Sequence, residues 1–323
     1  MDWLLSPATT GGKFGVMVVA ILLFIFVMAT ILFIVDRPKK APKWLVVLGF
    51  FGPAALMLIF GLVYPAIRTI YYSFFNRNGT EFIGFDNYAT AFTDPDFQKV
   101  LFNTLLWLLV VPLFSTAFGL IYAVIVDRTY FEKFAKTLIF LPMAISMVGA
   151  SYIWKFVYDY SPKSGILNSI LVSFGFEQKH FLLDQPMNTF YLMVVMIWIQ
   201  TGFAMTILSA AIKGIPDDIV EAARLDGLYG IKMFRYITIP SIRPALVVVL
   251  TTIAMGTLKV FDIVRTMTGG NYGTSVIANE FYTQTFSQGN DGLGAALAVI
   301  LFVFIVPLIV YNVRQLRKTE EIR

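Results

Sequence analysis

The stretch KGIPDDIVEAARLDGLYGIKMFRYITIPSIRP, Lys213 to Pro244, is a charged segment held between two long apolar runs, 187–212 and 242–265. Each run exceeds the about 20 residues that a helix rising about 1.5 Å per residue needs to cross a ~30 Å hydrocarbon core. The segment between them has the marks of a helix of its own. Pro216 suits the first helical position, where its missing N–H costs nothing, and Asp217 and Asp218 follow in the first turn, where the helix dipole favours anions. Ile219, Val220 and Ala223 make one side apolar, while Glu221, Arg224 and Asp226 keep the other polar. Gly227 stands where a C-terminal stop is expected. A second short segment, Ile231 to Ile237, is expected to end before Pro240. A helix–Gly–helix lying along the membrane surface is a shape that a second protein can grip; the plainer reading is a solvated turn between two spans.

Outward from this segment the chain continues in the same style. Further apolar runs occupy 14–35, 44–72, 100–126, 135–157 and 292–313, which makes seven expected spans. Pro53, Pro65, Pro112 and Pro142 lie in or beside them, as bundles tolerate. The runs are continuously apolar rather than alternating, which excludes a β-barrel. Composition agrees: the 323 residues are 58% hydrophobic and 14% charged, against about 45–50% and about 25% in soluble domains. A soluble globule of this size cannot hide so much apolar surface. The run 14–35 is too long for a signal-peptide core and no small-residue cleavage site follows it, so it is expected to stay as a span. There is no Cys and one histidine, His180, which excludes disulfides, thiolate chemistry and histidine-rich metal sites.

Positive charge orients the spans. One set of connections carries Arg37, Lys39, Lys40, Lys43, Arg128, Lys133, Lys136, Lys213, Arg224, Lys232, Arg235, Arg243, Arg314, Arg317, Lys318 and Arg323. The opposite set carries only Lys13, Arg77, Lys99, Lys163 and Lys179. The 213–243 loop and the C-terminus are therefore expected in the cytoplasm. Among the outer connections, 76–99 is long enough for a small amphipathic cap. Residues 159–186 contain GILNSILVSFG at helical spacing, and 266–291 reads as a polar loop. Lys155 beside Trp154 reads as an interfacial anchor, and His180 as a surface residue.

The run EAARLDGLYGIKMFRYITIP, 221–240, resembles the EAA loop of permease subunits in binding-protein-dependent ABC importers. Glu221, Ala222, Ala223, Asp226, Gly227, Phe234, Ile237 and Pro240 carry the match. FIGFDNYATAFTDPDFQKVLFNTL at 82–105 resembles the start of the core bundle in the sugar branch of that family. TLKVFDIVRTMTGG at 257–270 and GLGAALAVIL at 292–301 resemble later parts of it. Where the family usually continues with Gly-Pro after Gly269–Gly270, this chain has Asn271–Tyr272.

The resemblance implies an all-α membrane protein: a six-span type I ABC importer permease domain at 44–315, one extra N-terminal transmembrane segment with a basic linker at 1–43, and a cytoplasmic tail at 316–323. It implies that Glu221, Ala222, Ala223, Arg224, Asp226 and Gly227 form a coupling helix that docks on a cytoplasmic ATPase dimer. This chain has no phosphate-cradling G-x-x-x-x-G-K-[ST] loop, so ATP and Mg would be bound by that partner, and no cofactor or catalytic residue is expected here. A second homologous permease and an extracytoplasmic solute-binding protein complete the implied assembly in a bacterial cytoplasmic membrane.

The spans beside the loop carry Trp198, Gln200, Thr201, Phe203 and Thr206, then Thr251, Thr252, Thr257, Lys259 and Asp262. Aromatic planes beside hydroxyls and amides suit a sugar; helix–helix hydrogen bonding is the plainer reading. Resemblance to maltose-type members places Gln200, Phe203 and Thr257 on the substrate path, and maltose or another α-glucoside is the expected solute, with trehalose, lactose or glycerol phosphate as the other readings within the family. Lys259, Asp262 and Arg265, at i, i+3 and i+6, are expected to form a mutual ion pair near the outer end, with a gate contact as the other reading. The rival classes are a secondary transporter or channel, which wants inverted repeats and a carboxylate relay, and a membrane-embedded enzyme, which wants a catalytic cluster. Neither signature is present in the sequence.

Overall fold

The computed structural model of the chain describes residues 10–36, 43–127 and 129–320. The basic linker at 37–42, Arg128 and the last three residues lie outside the described residues. The described chain is helical, with one isolated β-bridge between Phe75 and Phe82. It divides into two compact units, Met1–Arg68 and Thr69–Arg323.

The first unit holds α1 (Thr10–Asp36), α2 (Lys43–Leu58), a π-helical turn (Ile59–Val63) and the start of α3 (Tyr64–Tyr72). The second expected span thus falls largely in this unit, and the unit boundary lies beyond the division expected after residue 43.

The second unit contains α4 (Asp86–Thr93), α5 (Pro95–Val126), α6 (Glu132–Phe140), α7 (Met147–Val157), α8 (Ile166–Ser173) and α9 (Met187–Lys213). It continues with α10 (Asp217–Leu225), α11 (Gly230–Met233), α12 (Ile239–Leu258), α13 (Asp262–Met267), α14 (Ile277–Tyr282) and α15 (Asp291–Glu320). Among the described residues six helices are long and apolar enough to cross a membrane, or seven if a bent pair counts as one span. That pair is the expected span 135–157. Its halves, Glu132–Ala144 and Met147–Val157, meet at 104°. Pro142 starts the bend within a 3₁₀ turn (Leu141–Ala144), Ile145 is extended, and Ser146 restarts the helix by accepting the Gly149 N–H at 3.1 Å.

The core is organised around α9, the most buried of the spans. Ser115, Gly119 and Ala123 recur every four residues on α5 and are all fully buried or nearly so. A Cβ at Gly119 would sit 2.4 Å from the Ala204 Cβ and 2.7 Å from the Met205 nitrogen. On α9, a Cβ at Gly202 would sit 2.6 Å from the Ile139 carbonyl oxygen of α6. Small residues at these two points let three backbones meet, the usual route to dispersion contact where lipid offers no hydrophobic drive. Trp107, Leu192, Met196, Met205, Leu208 and Ile253 fill the space around the crossings.

The stretch 266–291 is not the polar loop read from its composition. It begins in the last turn of α13 and holds α14 and a π-helical turn (Thr283–Ser287), and Val276, Ile277, Asn279 and Gln284 are buried. Buried amides fasten it by its backbone. Asn103 Nδ2 donates to the carbonyls of Gly273 (2.7 Å) and Ser275 (2.9 Å), and Asn188 Nδ2 donates to that of Tyr272 (2.8 Å). Gly270, Tyr272 and Gly273 all take positive φ, so of the two positions that depart from the usual family sequence, Tyr272 has a left-handed backbone, which a proline there could not adopt. The other outer segments are closer to expectation. Helix α4 follows a turn held by Asn87, and α8 is anchored by buried Asn168, whose Nδ2 reaches the carbonyls of Asp159 and Lys179.

Gly119→Ala is expected to lower the thermal midpoint of the detergent-solubilised protein, since an overpacked crossing costs about 1–3 kcal/mol. Gly52→Ala, on a helix where a Cβ would meet nothing within 4 Å, should leave the midpoint unchanged. Equal midpoints for both variants would refute the crossing as a packing constraint.

Candidate functional site

The loop helix α10 begins at Asp217, with Pro216 as its N-cap rather than its first residue. Its end is a Schellman motif: the Leu228 N–H bonds to Ala223 O at 2.9 Å and the Gly227 N–H to Arg224 O at 3.0 Å, with Gly227 at φ +78°. No atom would crowd a Cβ at Gly227, so the left-handed backbone alone calls for glycine there. Ala223 is the buried residue of α10, whereas Glu221, Ala222, Arg224 and Asp226 are exposed. Leu225 and Ile231 stand out, 90% and 83% exposed. The expected apolar side of Ile219 and Val220 is only partly covered, and Leu225 adds an apolar projection that the helical spacing did not single out.

The expected stop before Pro240 does not occur. From α11 the chain passes through a π-helical turn (Phe234–Thr238) directly into α12, one run from Gly230 to Leu258. Ile239 N–H bonds to Phe234 O, five residues back. The helix is thus widened just where Pro240, which has no N–H to give, enters its first turn.

Where α5, α6 and α9 end together, four charges meet. Lys136 Nζ lies 2.7 Å from Asp127 Oδ1 and 2.8 Å from Glu132 Oε1. Lys213 Nζ lies 3.5 Å from Asp127 Oδ1 and also bonds Glu132 Oε1. Ser209 Oγ donates to Asp127 at 3.1 Å and accepts from Lys136. The sequence reading used Lys136 and Lys213 only as markers of orientation; it passed over the i,i+4 pair Glu132–Lys136, while the contacts of Ser209 and Lys213, more than seventy residues away, leave no local signal.

The residues placed on the substrate path are brought only partly together. Gln200 is half-buried, and its Nε2 would lie 3.7 Å from a Cβ at Gly256, so its amide rests on α12 beside Thr257. Phe203 is half-buried against the core. Thr257 is 1% exposed, with its hydroxyl donated to Ile253 O at 2.8 Å within its own helix. Thr201, Thr206 and Thr251 likewise bond carbonyls one turn back, and Asn312 of α15 donates to the Thr251 hydroxyl. For these threonines helix–helix and intrahelical bonding is what the structure shows. A cavity of about 410 Å³ opens one turn away, lined by Trp154, Trp198, Thr201, Phe118 and Tyr122.

Lys259, Asp262 and Arg265 do not share a helix face. The helix α12 ends at Leu258 with Lys259 as its cap, and α13 begins at Asp262. No ion pair joins the three among the described residues. Arg265 instead lies 4.8 Å over the Tyr282 ring and reaches Thr283 Oγ1 at 3.5 Å. The reason is the break itself: regular i, i+3, i+6 spacing needs an unbroken helix, and the one here stops at 259–261. Lys155 is more than an anchor, since its Nζ donates to the Thr266 carbonyl at 3.3 Å and so ties α7 to α13. His180 is exposed and stacked on Tyr160 with ring centroids 3.8 Å apart.

Known proteins agree with this architecture. Residues 97–319 match the family described as binding-protein-dependent transport system inner membrane component. The chain is 49% identical over 275 residues to the osmoprotective compounds uptake permease protein GgtC of Synechocystis sp., covering 84% of this chain and 99% of that protein. It is 47% identical over 270 residues to the alpha-glucoside transport system permease protein AglF of Rhizobium meliloti, covering 82% and 80%. A chain of a bacterial ABC transporter involved in the import of the acidic polysaccharide alginate superposes with a TM-score of 0.73 at 25% identity, covering 85% of this chain and 96% of that one. The family match spans α5 to α15 and includes the exposed loop helix with its glycine stop, and on that ground the chain belongs to the family of binding-protein-dependent transport system inner membrane components.

Proposed function

We propose that the chain is a permease subunit of an ATP-driven importer for a di- or oligosaccharide, an α-glucoside such as maltose being the preferred solute. The observation that carries this reading is the exposed, glycine-terminated helix α10 with the residues Glu221, Ala222, Ala223, Arg224, Asp226 and Gly227, held between two spans, a surface that a cleft in the ATPase would receive. Exposed Leu225 and Ile231 offer apolar contact to that cleft, and the charged side chains set register. AglF is named for alpha-glucoside transport and GgtC for uptake of osmoprotective compounds, and the first of these supports an α-glucoside as solute.

In this reading a second permease completes the path and two ATPase copies, which bind ATP and Mg, receive the loop helices. An extracytoplasmic binding protein delivers the solute, and the C-terminus is cytoplasmic. ATP-driven closure of the ATPase dimer moves α10, and the path alternates between its two faces. Gln200 and Phe203 present an amide and an aromatic plane to the solute. Thr257, with its hydroxyl already bonded, shapes the wall beside them.

Purification of the tagged protein from its native membrane in mild detergent should recover a second permease and an ATPase, with hydrolysis stimulated by the binding protein and sugar. Recovery of the chain alone, without ATPase activity, would return a secondary transporter to the front. Glu221→Lys and Gly227→Val are expected to uncouple transport from hydrolysis while the subunit still inserts; unchanged transport and ATPase rates in both would remove α10 from the mechanism. Gln200→Leu should raise the half-saturating solute concentration in reconstituted vesicles by roughly tenfold, the loss of one buried hydrogen bond of about 1.4 kcal/mol. Thr257→Val should leave it within about twofold, well under the tenfold that 1.4 kcal/mol makes.

A further inference from the structure

The four-charge group at the base of the loop helix is built asymmetrically. Asp127 caps the end of α5, and its side chain is 8% exposed; Glu132 opens α6 and Lys136 sits one turn along it, each 22% exposed. Lys213 is the last residue of α9, separated from α10 by Gly214, Ile215 and Pro216, and its side chain is 49% exposed. Each carboxylate is shared by both lysines, and the two anions and two cations cancel.

Burial decides what such a group can do. Leaving a buried carboxylate without a cation is strongly unfavourable, whereas an exposed ammonium exchanges a carboxylate for water at little cost. Lys136 touches Asp127, Glu132 and Ser209 from the inside and keeps Asp127 neutralised whatever Lys213 does. Lys213 is thus not needed to keep Asp127 paired; it is the cation attached to the stem of α10, and both carboxylates it meets belong to the adjoining ends of α5 and α6.

We infer that Lys213 is a positioning residue that clasps the stem of the loop helix to the ends of α5 and α6, so that displacement of α10 is delivered to those helices and not lost in the Gly214–Pro216 link. Lys136 is the fixed part of the clasp. The inference rests on the permease reading, since it supposes a partner that moves α10.

The test uses the full importer, with its ATPase subunits and binding protein, reconstituted in vesicles. Solute carried per ATP hydrolysed is measured for the wild type, Lys213→Met, Lys213→Arg and Lys136→Met. In Lys213→Met the ratio should fall at least about fivefold, the low end of ordinary coupling between sites, with the assembled complex recovered in wild-type yield. Lys213→Arg, which keeps the charge, should restore the ratio to within about twofold, a residue of coupling below that range. Lys136→Met, which leaves the buried Asp127 only the longer 3.5 Å contact to the exposed Lys213, should lower the yield of assembled complex instead. A wild-type ratio in Lys213→Met overturns the clasp, as does a loss of yield there matching Lys136→Met with no change in ratio. If the wild-type assembly itself shows no solute-stimulated hydrolysis, the permease reading falls and the clasp with it, whereas a coupled wild type with an equally coupled Lys213→Met removes the clasp alone.

Discussion

At Gly119 there is no room for a side chain, and the arrangement of the second unit follows from that closeness. In a bilayer the apolar surfaces of helices gain nothing by leaving lipid for each other, so association depends on contact area and on hydrogen bonds. Contact area grows only if backbones approach, and approach needs glycine or alanine at the crossing. Gly119 against Ala204 and Gly202 against Ile139 supply two such points on opposite partners of α9. With α9 fixed between α5 and α6, the ends of all three helices are brought to one place, which is why Asp127, Glu132, Lys136, Ser209 and Lys213 can meet there.

Polar groups do a second kind of work at the other end of the bundle. Asn103, Asn188, Thr104 and Thr268 do not bond one another; each makes at least one hydrogen bond to the backbone of 270–277. A buried irregular segment carries amides and carbonyls that no regular ladder satisfies. Side-chain amides placed on neighbouring helices are an economical answer, and they hold the segment in one conformation while leaving its outer surface to vary.

The features legible in the sequence are those with local causes. Spans are read from hydrophobic runs because the bilayer sets a length, and the limits of α10 are read to within a residue because proline, aspartates and glycine act on their immediate neighbours. The bend between α6 and α7 was hidden, since Pro142 lies in an apolar run of ordinary length and span prolines usually leave a helix whole. The continuity of α11 with α12 was hidden for the opposite reason, because a π-helical turn absorbs a proline that a regular helix would refuse. Composition misread 266–291: its Asn, Thr and Gly look like solvent-facing residues, yet burial comes from Asn103 and Asn188, far away in the chain. The charge group and the fate of Arg265 also depend on long-range partners. The resemblance to the family was legible in the loop because its motif lies within one short stretch, 221–240, whereas the family match itself spans 97–319.

The uninterrupted run from Gly230 to Leu258 has a mechanical consequence. At about 1.5 Å per residue it is a rod of roughly 40 Å, and its near end is joined to α10 by a four-residue link, Asp226 to Tyr229. Gly227 lies within that link and Gly230 directly follows it, both with left-handed backbones and both with open space where a side chain would be. Under the coupling proposed above, these glycines would serve as a pivot with no side chain to jam. A displacement of α10 would then reach α12 as rotation of a long arm, with a small angular change becoming a larger sideways travel at the far end, near Thr257.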